Sequence, residues 1–259
     1  MNHLADTFLS YRLGSKAIGP HLDECNLVFA KTLQTLKKVD HDFSRTFVIS
    51  RLQATPLHLP SALEMNLPVT QYDEAVLRQS GIPVETFDAD LCSLAEDMID
   101  TMYEEEGIGL AAQQVGRVTR LFVMDIRPAD PDSIGTICLL DGRTLPLDVI
   151  MPMALVNPMI EGHGKDITCE EGCLSLPKIR GEVTRPSRVR VSFQDLDGHP
   201  HLLECDGLLA RCAQHELDHL DGILFIDPER MSASERKRLD PEIRALRAKT
   251  RKRLGQTGD

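Results

Sequence analysis

The stretch GLLARCAQHELDHLDG, residues 207–222, decides how the rest of the chain is read. Its apolar residues recur at helical spacing and Gly222 closes it, which predicts a helix over residues 207–221. Within that helix His215 and His219 stand four residues apart, so both imidazoles project from one face and can grip a single ion. Glu216, beside the first histidine, can reach a water held there and act as its base. Two histidines at this spacing also arise by chance on ordinary helices. The reading therefore turns on a third ligand.

Downstream nothing suits. The position where some zinc proteases carry a third histidine holds Phe225, and Glu235 and Glu242 sit in a charged stretch that reads as a solvated face. Upstream, Cys173 in EGCLSLP (residues 171–177) is the strongest candidate. A thiolate is a soft ligand for Fe²⁺ or Zn²⁺, and the neighbouring Gly172 permits close backbone approach. Cys169 leaves a rival open. Cys169, Cys173 and the two histidines could form a closed Cys₂His₂ zinc site, making the chain a metal-stapled binding module. Such a site would join ligand pairs far apart in sequence and leave Glu216 without a role, whereas three ligands with an open position suit catalysis.

Around this helix the pattern is α+β: antiparallel strands packed around a central helix that carries the HExxH motif, followed by a C-terminal helix. Residues 88–105 predict a helix with Leu91, Leu94, Ala95, Met98 and Met102 on one face, ended by a loop that starts with Gly107 and Gly109. Leu121–Met124 reads as a buried strand and Ala154–Val156 as another that ends at Asn157-Pro158. Val189–Phe193 alternates as a half-exposed strand, and Asp197-Gly198 turns into a strand at His201–Glu204. Residues 127–152 read as an inserted hairpin or long loop. Residues 22–36 could hold a helix, and 232–253 read as a polar helix with a break or kink at Pro241.

Bulk properties narrow the class. With 42% hydrophobic and 27% charged residues and no long apolar run, the sequence reads as globular, without a membrane partner. Seven irregularly spaced cysteines in 259 residues point to free or metal-bound thiols rather than a disulfide framework. The net charge of −11 is uneven: residues 229–259 carry +5 and the remainder −16. The acidic body argues against general nucleic-acid binding, while the basic tail could still reach one anionic partner. His3, His21, His41, His58, His163, His199 and His201 lack ligand spacing and read as surface or loop residues.

Three segments, in order, resemble the peptide deformylase family. GIGLAAQQ (residues 107–114) resembles its G-x-G-L-A-A-x-Q loop, EGCLS (171–175) its cysteine segment, and QHELDHLDG (214–222) its Q-H-E-x-D-H-L-x-G helix. The resemblance spans about residues 67–227, with the 127–152 stretch longer than is usual. It implies a metal-dependent hydrolase that removes the formyl group from N-terminal formylmethionine of newly made proteins and releases formate. By position, Cys173, His215 and His219 would hold the metal and Glu216 would be the general acid/base. The Gln114 side-chain amide and the backbone N–H of Leu174 would stabilise the oxyanion. Ile108, Gly109, Gly172, Leu208 and Cys212 would contact substrate, with Cys169 also at a pocket-lining position, and Arg180 would lie near the substrate peptide. Glu171 and Arg185 match a pair that braces the cysteine segment. The resemblance also implies one divalent ion, usually Fe²⁺, with Zn²⁺, Ni²⁺ or Co²⁺ tolerated less evenly.

This divides the chain into an N-terminal extension (1–66), a catalytic domain (67–227) and a basic C-terminal helical tail (228–259). The extension suggests an upstream start with Met65 as the true one, because its acidic residues do not suit a transit peptide. That favours the bacterial cytoplasm over a plastid or mitochondrion. Bacterial members of the family dock on the ribosome through a similar C-terminal extension, which makes the tail a candidate for the same contact.

Overall fold

The computed structural model describes residues 67–127, 129, 135 and 137–256. The expected helix at 22–36, the Met65 start and four of the seven other histidines lie outside these residues. Helix α1 (Ala89–Glu104) precedes strands β1 (Gly109–Ala111) and β2 (Leu121–Met124). A small hairpin, β3 (Cys138–Leu140) and β4 (Arg143–Thr144), and one-turn α2 (Leu147–Ile150) follow. Strands β5 (Met153–Cys173), β6 (Leu176–Gln194) and β7 (Pro200–Asp206) lead into α3 (Gly207–Leu220) and then α4 (Ala233–Arg253). The seven strands form one sheet in the order β1-β2-β5-β6-β7-β3-β4, with antiparallel neighbours throughout. The architecture is the α+β one expected.

Strand β2 shows why the sheet lies where it does. Its four residues are all buried, and successive side chains point to opposite faces. Phe122 and Met124 pack with Leu209, Ala210 and Ala213 of α3, while Leu121 and Val123 pack with Ala95, Met98 and Met102 of α1. The strand is thus covered on both faces, which explains its unbroken apolar run. Asp88 caps α1 by accepting from Leu91 N at 3.1 Å.

Two expectations are corrected. Gly109 does not extend a loop after α1; it begins β1, paired with Met124, because the edge of β2 offers unsatisfied backbone groups. Nor does the strand at 154–156 stop at Asn157-Pro158. Asn157 adopts φ 50° and the register shifts there, but β5 resumes and pairs with β6 as far as Cys173. The Asn157 side chain secures this irregularity: Oδ1 accepts from Val84 N at 2.8 Å, and Nδ2 donates to Val84 O and Gln194 Oε1, each at 2.9 Å. The 127–152 stretch does contain the hairpin foreseen, which joins the sheet beside β7.

Helix α4 passes through Pro241 and is seated on the body of the fold. Leu239 and Ile243 are buried with Leu176, Ile179 and Val183 of β6. Further along, Arg247 and Arg251 pair with Asp73 at 3.3 and 2.6 Å, Arg247 donates to the Tyr72 hydroxyl at 2.9 Å, and Arg253 pairs with Glu74. Five described cysteines, at 138, 169, 173, 205 and 212, are free thiols. No described helix is long and apolar enough to cross a membrane.

Candidate metal centre

Helix α3 lies under the sheet with His215 and His219 facing the end of the β5–β6 hairpin. Cys173 is the last residue of β5, before the turn at Leu174-Ser175. Ligand atoms of Cys173, His215 and His219 all lie within 4.8 Å of one another, with Cys173 Sγ 3.2 Å from His219 Nε2. One sulfur and two ring nitrogens at this spacing fit a single ion of the size and softness of Fe²⁺ or Zn²⁺. Cys169 is outside the cluster and exposed, so the closed four-ligand site is not formed.

The carboxylate of Glu171 orients His215. Glu171 Oε2 lies 2.9 Å from His215 Nδ1. Burial alone would raise the Glu171 pKa, but bonds to His215 and Arg185 outweigh it and hold the carboxyl well below the usual range. An ionised Glu171 can only accept, so Nδ1 carries the proton and Nε2 is left for a metal. The same carboxylate takes Arg185 Nε at 2.7 Å and Nη2 at 3.0 Å, and Arg211 Nη1 at 2.7 Å. Arg185 also donates to Asp218 at 2.7 Å, and Asp218 accepts from Arg230 at 2.7 and 2.6 Å. The Glu171–Arg185 pair is the brace that the resemblance implies, and Arg211, Asp218 and Arg230 extend it. Arg211 and Asp218 stand four before and three after His215, the spacing of neighbours on a helix surface.

Glu216 is 4% exposed, and its Oε2 has no hydrogen-bond partner among the described residues. Burial is the main cause that pushes its pKa up to about 7; His215 and Arg185 pull it down, while Glu171 and Asp218 add to the rise. A carboxyl poised there exchanges protons readily at neutral pH. Gly109 faces it so closely that an added Cβ would fall 2.4 Å from Glu216 Oε1 and 2.8 Å from Cys212 Sγ. Gln114 is buried, with Oε1 accepting from Ala111 N at 2.8 Å, which aims Nε2 at Cys173 Sγ, 3.5 Å away.

A cleft of about 680 Å³ opens over these groups. Ile108, Gly109, Gly172, Leu208 and Cys212 line it, as do Gln114, Cys173, Leu174, His215 and Glu216. Arg180 is at its wall, paired with Glu170 at 2.7 Å. Cys169 does not line the cleft, contrary to its expected place in the pocket; it stands exposed on β5. His201 also departs from the surface reading. It is half-buried, with Nδ1 2.8 Å from Asp141 and Nε2 3.3 Å from Asp195.

Two helix histidines and a hairpin cysteine around a buried carboxyl, open to a cleft, define a metal-dependent hydrolase. The polypeptide deformylase family profile matches residues 66–237. A peptide deformylase of Opitutus terrae is 49% identical over 189 residues, covering 72% of this chain and 96% of that protein. One from Novosphingobium aromaticivorans is 46% identical over 154 residues, covering 58% and 82%. The crystal structure of a Synechococcus elongatus peptide deformylase in complex with actinonin aligns with a TM-score of 0.57 at 36% identity, covering 76% of this chain and 94% of that one. The chain belongs to the peptide deformylase family, metalloenzymes that remove the formyl group from nascent peptides, and this is its activity.

Proposed function

We propose that Cys173, His215 and His219 hold one divalent ion, Fe²⁺ in the cell with Zn²⁺, Ni²⁺ or Co²⁺ as substitutes, and that Glu216 is the general acid/base for formyl removal. The observation that carries this reading is the buried, unpartnered carboxyl of Glu216 beside three converging soft and borderline ligand atoms. A bound divalent ion supplies acidity to water and polarises a carbonyl oxygen. Glu216, with a pKa near neutrality, takes a proton from the attacking water and passes it to the departing amine. The Gln114 amide, fixed through Ala111, and the backbone N–H of Leu174 stabilise the oxyanion that forms on the formyl oxygen. Ile108, Gly109, Gly172, Leu208 and Cys212 receive the methionine end of a formylated nascent peptide.

The test is formate release from formyl-Met peptides, with metal content measured on the same samples. Glu216→Ala is expected to keep its ion and lose most turnover, and Gln114→Ala to slow turnover about 10²-fold. Full activity in Glu216→Ala would refute the assignment.

The same reading takes residues 67–227 as the catalytic unit of a bacterial cytoplasmic enzyme, so that a chain begun at Met65 retains full activity. It also gives the tail a ribosomal contact. Arg247, Arg251 and Arg253 are engaged with Asp73 and Glu74, whereas Lys237, Lys249 and Lys252 make no ion pair among the described residues. Reversing these lysines to glutamate should weaken co-sedimentation with ribosomes at low salt while sparing turnover of free peptide.

A further inference from the structure

The β3–β4 hairpin joins the sheet through β7, and its first residue meets another cysteine there. Cys138 and Cys205 are direct partners across the antiparallel pair. The hydrogen bonds on either side show which kind of pair this is. Asp206 N donates to Ile137 O at 3.2 Å, and Asp141 N donates to Leu202 O at 2.8 Å. Positions 137/206, 139/204 and 141/202 are therefore the hydrogen-bonded pairs, and Cys138/Cys205 is a non-hydrogen-bonded pair between them. Such pairs bring Cα atoms to about 4.5 Å with both side chains on one face. That separation lies within the roughly 4.4–6.8 Å range of disulfides. Cys205 is buried in the core beneath α3, and Cys138 is half-buried at the edge of the same cluster, where an oxidant can enter.

We propose that Cys138 and Cys205 form a redox modification site, a cross-strand dithiol that peroxide converts to a disulfide. The Cys138 sulfur attacks one peroxide oxygen, the O–O bond breaks, and the leaving hydroxide takes the thiol proton as water. The Cys205 sulfur then attacks the resulting sulfenic acid at sulfur, the S–O bond breaks, and the second hydroxide leaves with the Cys205 proton. Two thiols and one peroxide thus give one disulfide and two waters. Burial pushes both thiols up, so the pair closes under sustained peroxide and resists brief exposure. The link would tie the hairpin to the start of α3. Cys205 precedes Asp206, the residue before that helix, whose Oδ1 already accepts from Ile137 N at 2.7 Å.

The experiment uses the full chain loaded with Ni²⁺, so that peroxide acts on thiols and not on iron. After peroxide treatment and alkylation, peptide mapping should find a Cys138–Cys205 cross-link and two fewer alkylated thiols. The melting temperature should rise on oxidation, and Cys138→Ser should show neither change. Phenylarsine oxide, which bridges close thiols, should add once to the untreated protein with loss of water and not add to Cys138→Ser. Separate oxidation of the two cysteines, linkage of Cys138 to Cys169, or failure of the arsenical to bridge them would overturn the proposal.

Discussion

Replacing Glu171 by glutamine, Glu171→Gln, keeps the side-chain shape and removes the charge on which four hydrogen bonds converge. Two come from Arg185, one from Arg211 and one from His215. The amide has only one acceptor oxygen, so its NH₂ must face donors in a site where Glu171 is 6% exposed. Breaking a buried ion pair from one side costs about 3–5 kcal/mol. Arg185 keeps Asp218 as a partner at 2.7 Å, so the low end applies, about 3 kcal/mol. At ~2–4 °C per kcal/mol for a domain of this size, the melting temperature should fall by about 6–12 °C. His215 would also lose the acceptor that fixes its proton on Nδ1, and metal affinity should fall roughly 10–100-fold. Thermal melts with and without metal measure the first effect, and competition against a chelator the second. A drop below about 1 kcal/mol with unchanged metal retention would refute the reasoning, because His215 would then be oriented without Glu171.

Gly109→Ala should cut kcat/KM for formyl-Met peptides while leaving the fold intact, because the new methyl collides with Glu216 and Cys212; undiminished turnover would mean that Glu216 can move without loss. Cys173→Ser should lose the metal and Cys169→Ser keep it, as elemental analysis of the purified proteins would show; equal losses would reopen the four-ligand alternative. Burial lowers the pKa of His201, but the bonds to Asp141 and Asp195 outweigh it and the net shift is upward from 6.5. Its contribution to stability is therefore complete below pH 6.5 and is lost as pH rises through the folded-state value. Denaturant melts of wild type and His201→Gln should converge above that value, and a constant gap across pH would rule the linkage out.

The features legible in the sequence were those whose signal is local. The α3 motif could be read because His215, Glu216 and His219 fall within one helical turn, and α1 and β2 because their apolar residues repeat at the element's own period. The β5–β6 hairpin was cut short at Asn157-Pro158 because a left-handed asparagine before a proline resembles a terminus. Only the Val84 and Gln194 partners, distant in sequence, turn it into a bulge. Residues 161–170 of β5 are all exposed, so no apolar alternation marked them as strand; pairing with β6 holds them. The network behind the ligands stayed hidden for a related reason. Arg211, Asp218 and Arg230 look like ordinary surface charges until the fold brings them to Glu171 and Arg185.

The seam between α4 and residues 72–74 bears on how the molecule comes into being. Its contacts join residues 175 to 179 positions apart, so they close one of the longest loops the described chain can make. Loop closure of this length is slow relative to local helix and hairpin formation. On a chain made from the N-terminus onward, Tyr72, Asp73 and Glu74 wait for arginines made 175 to 179 residues later. Until then Leu176, Ile179 and Val183 lack the cover of Leu239 and Ile243. An enzyme that acts on nascent peptides thus completes its own core only when a helix made well after the strands it covers comes to rest on them.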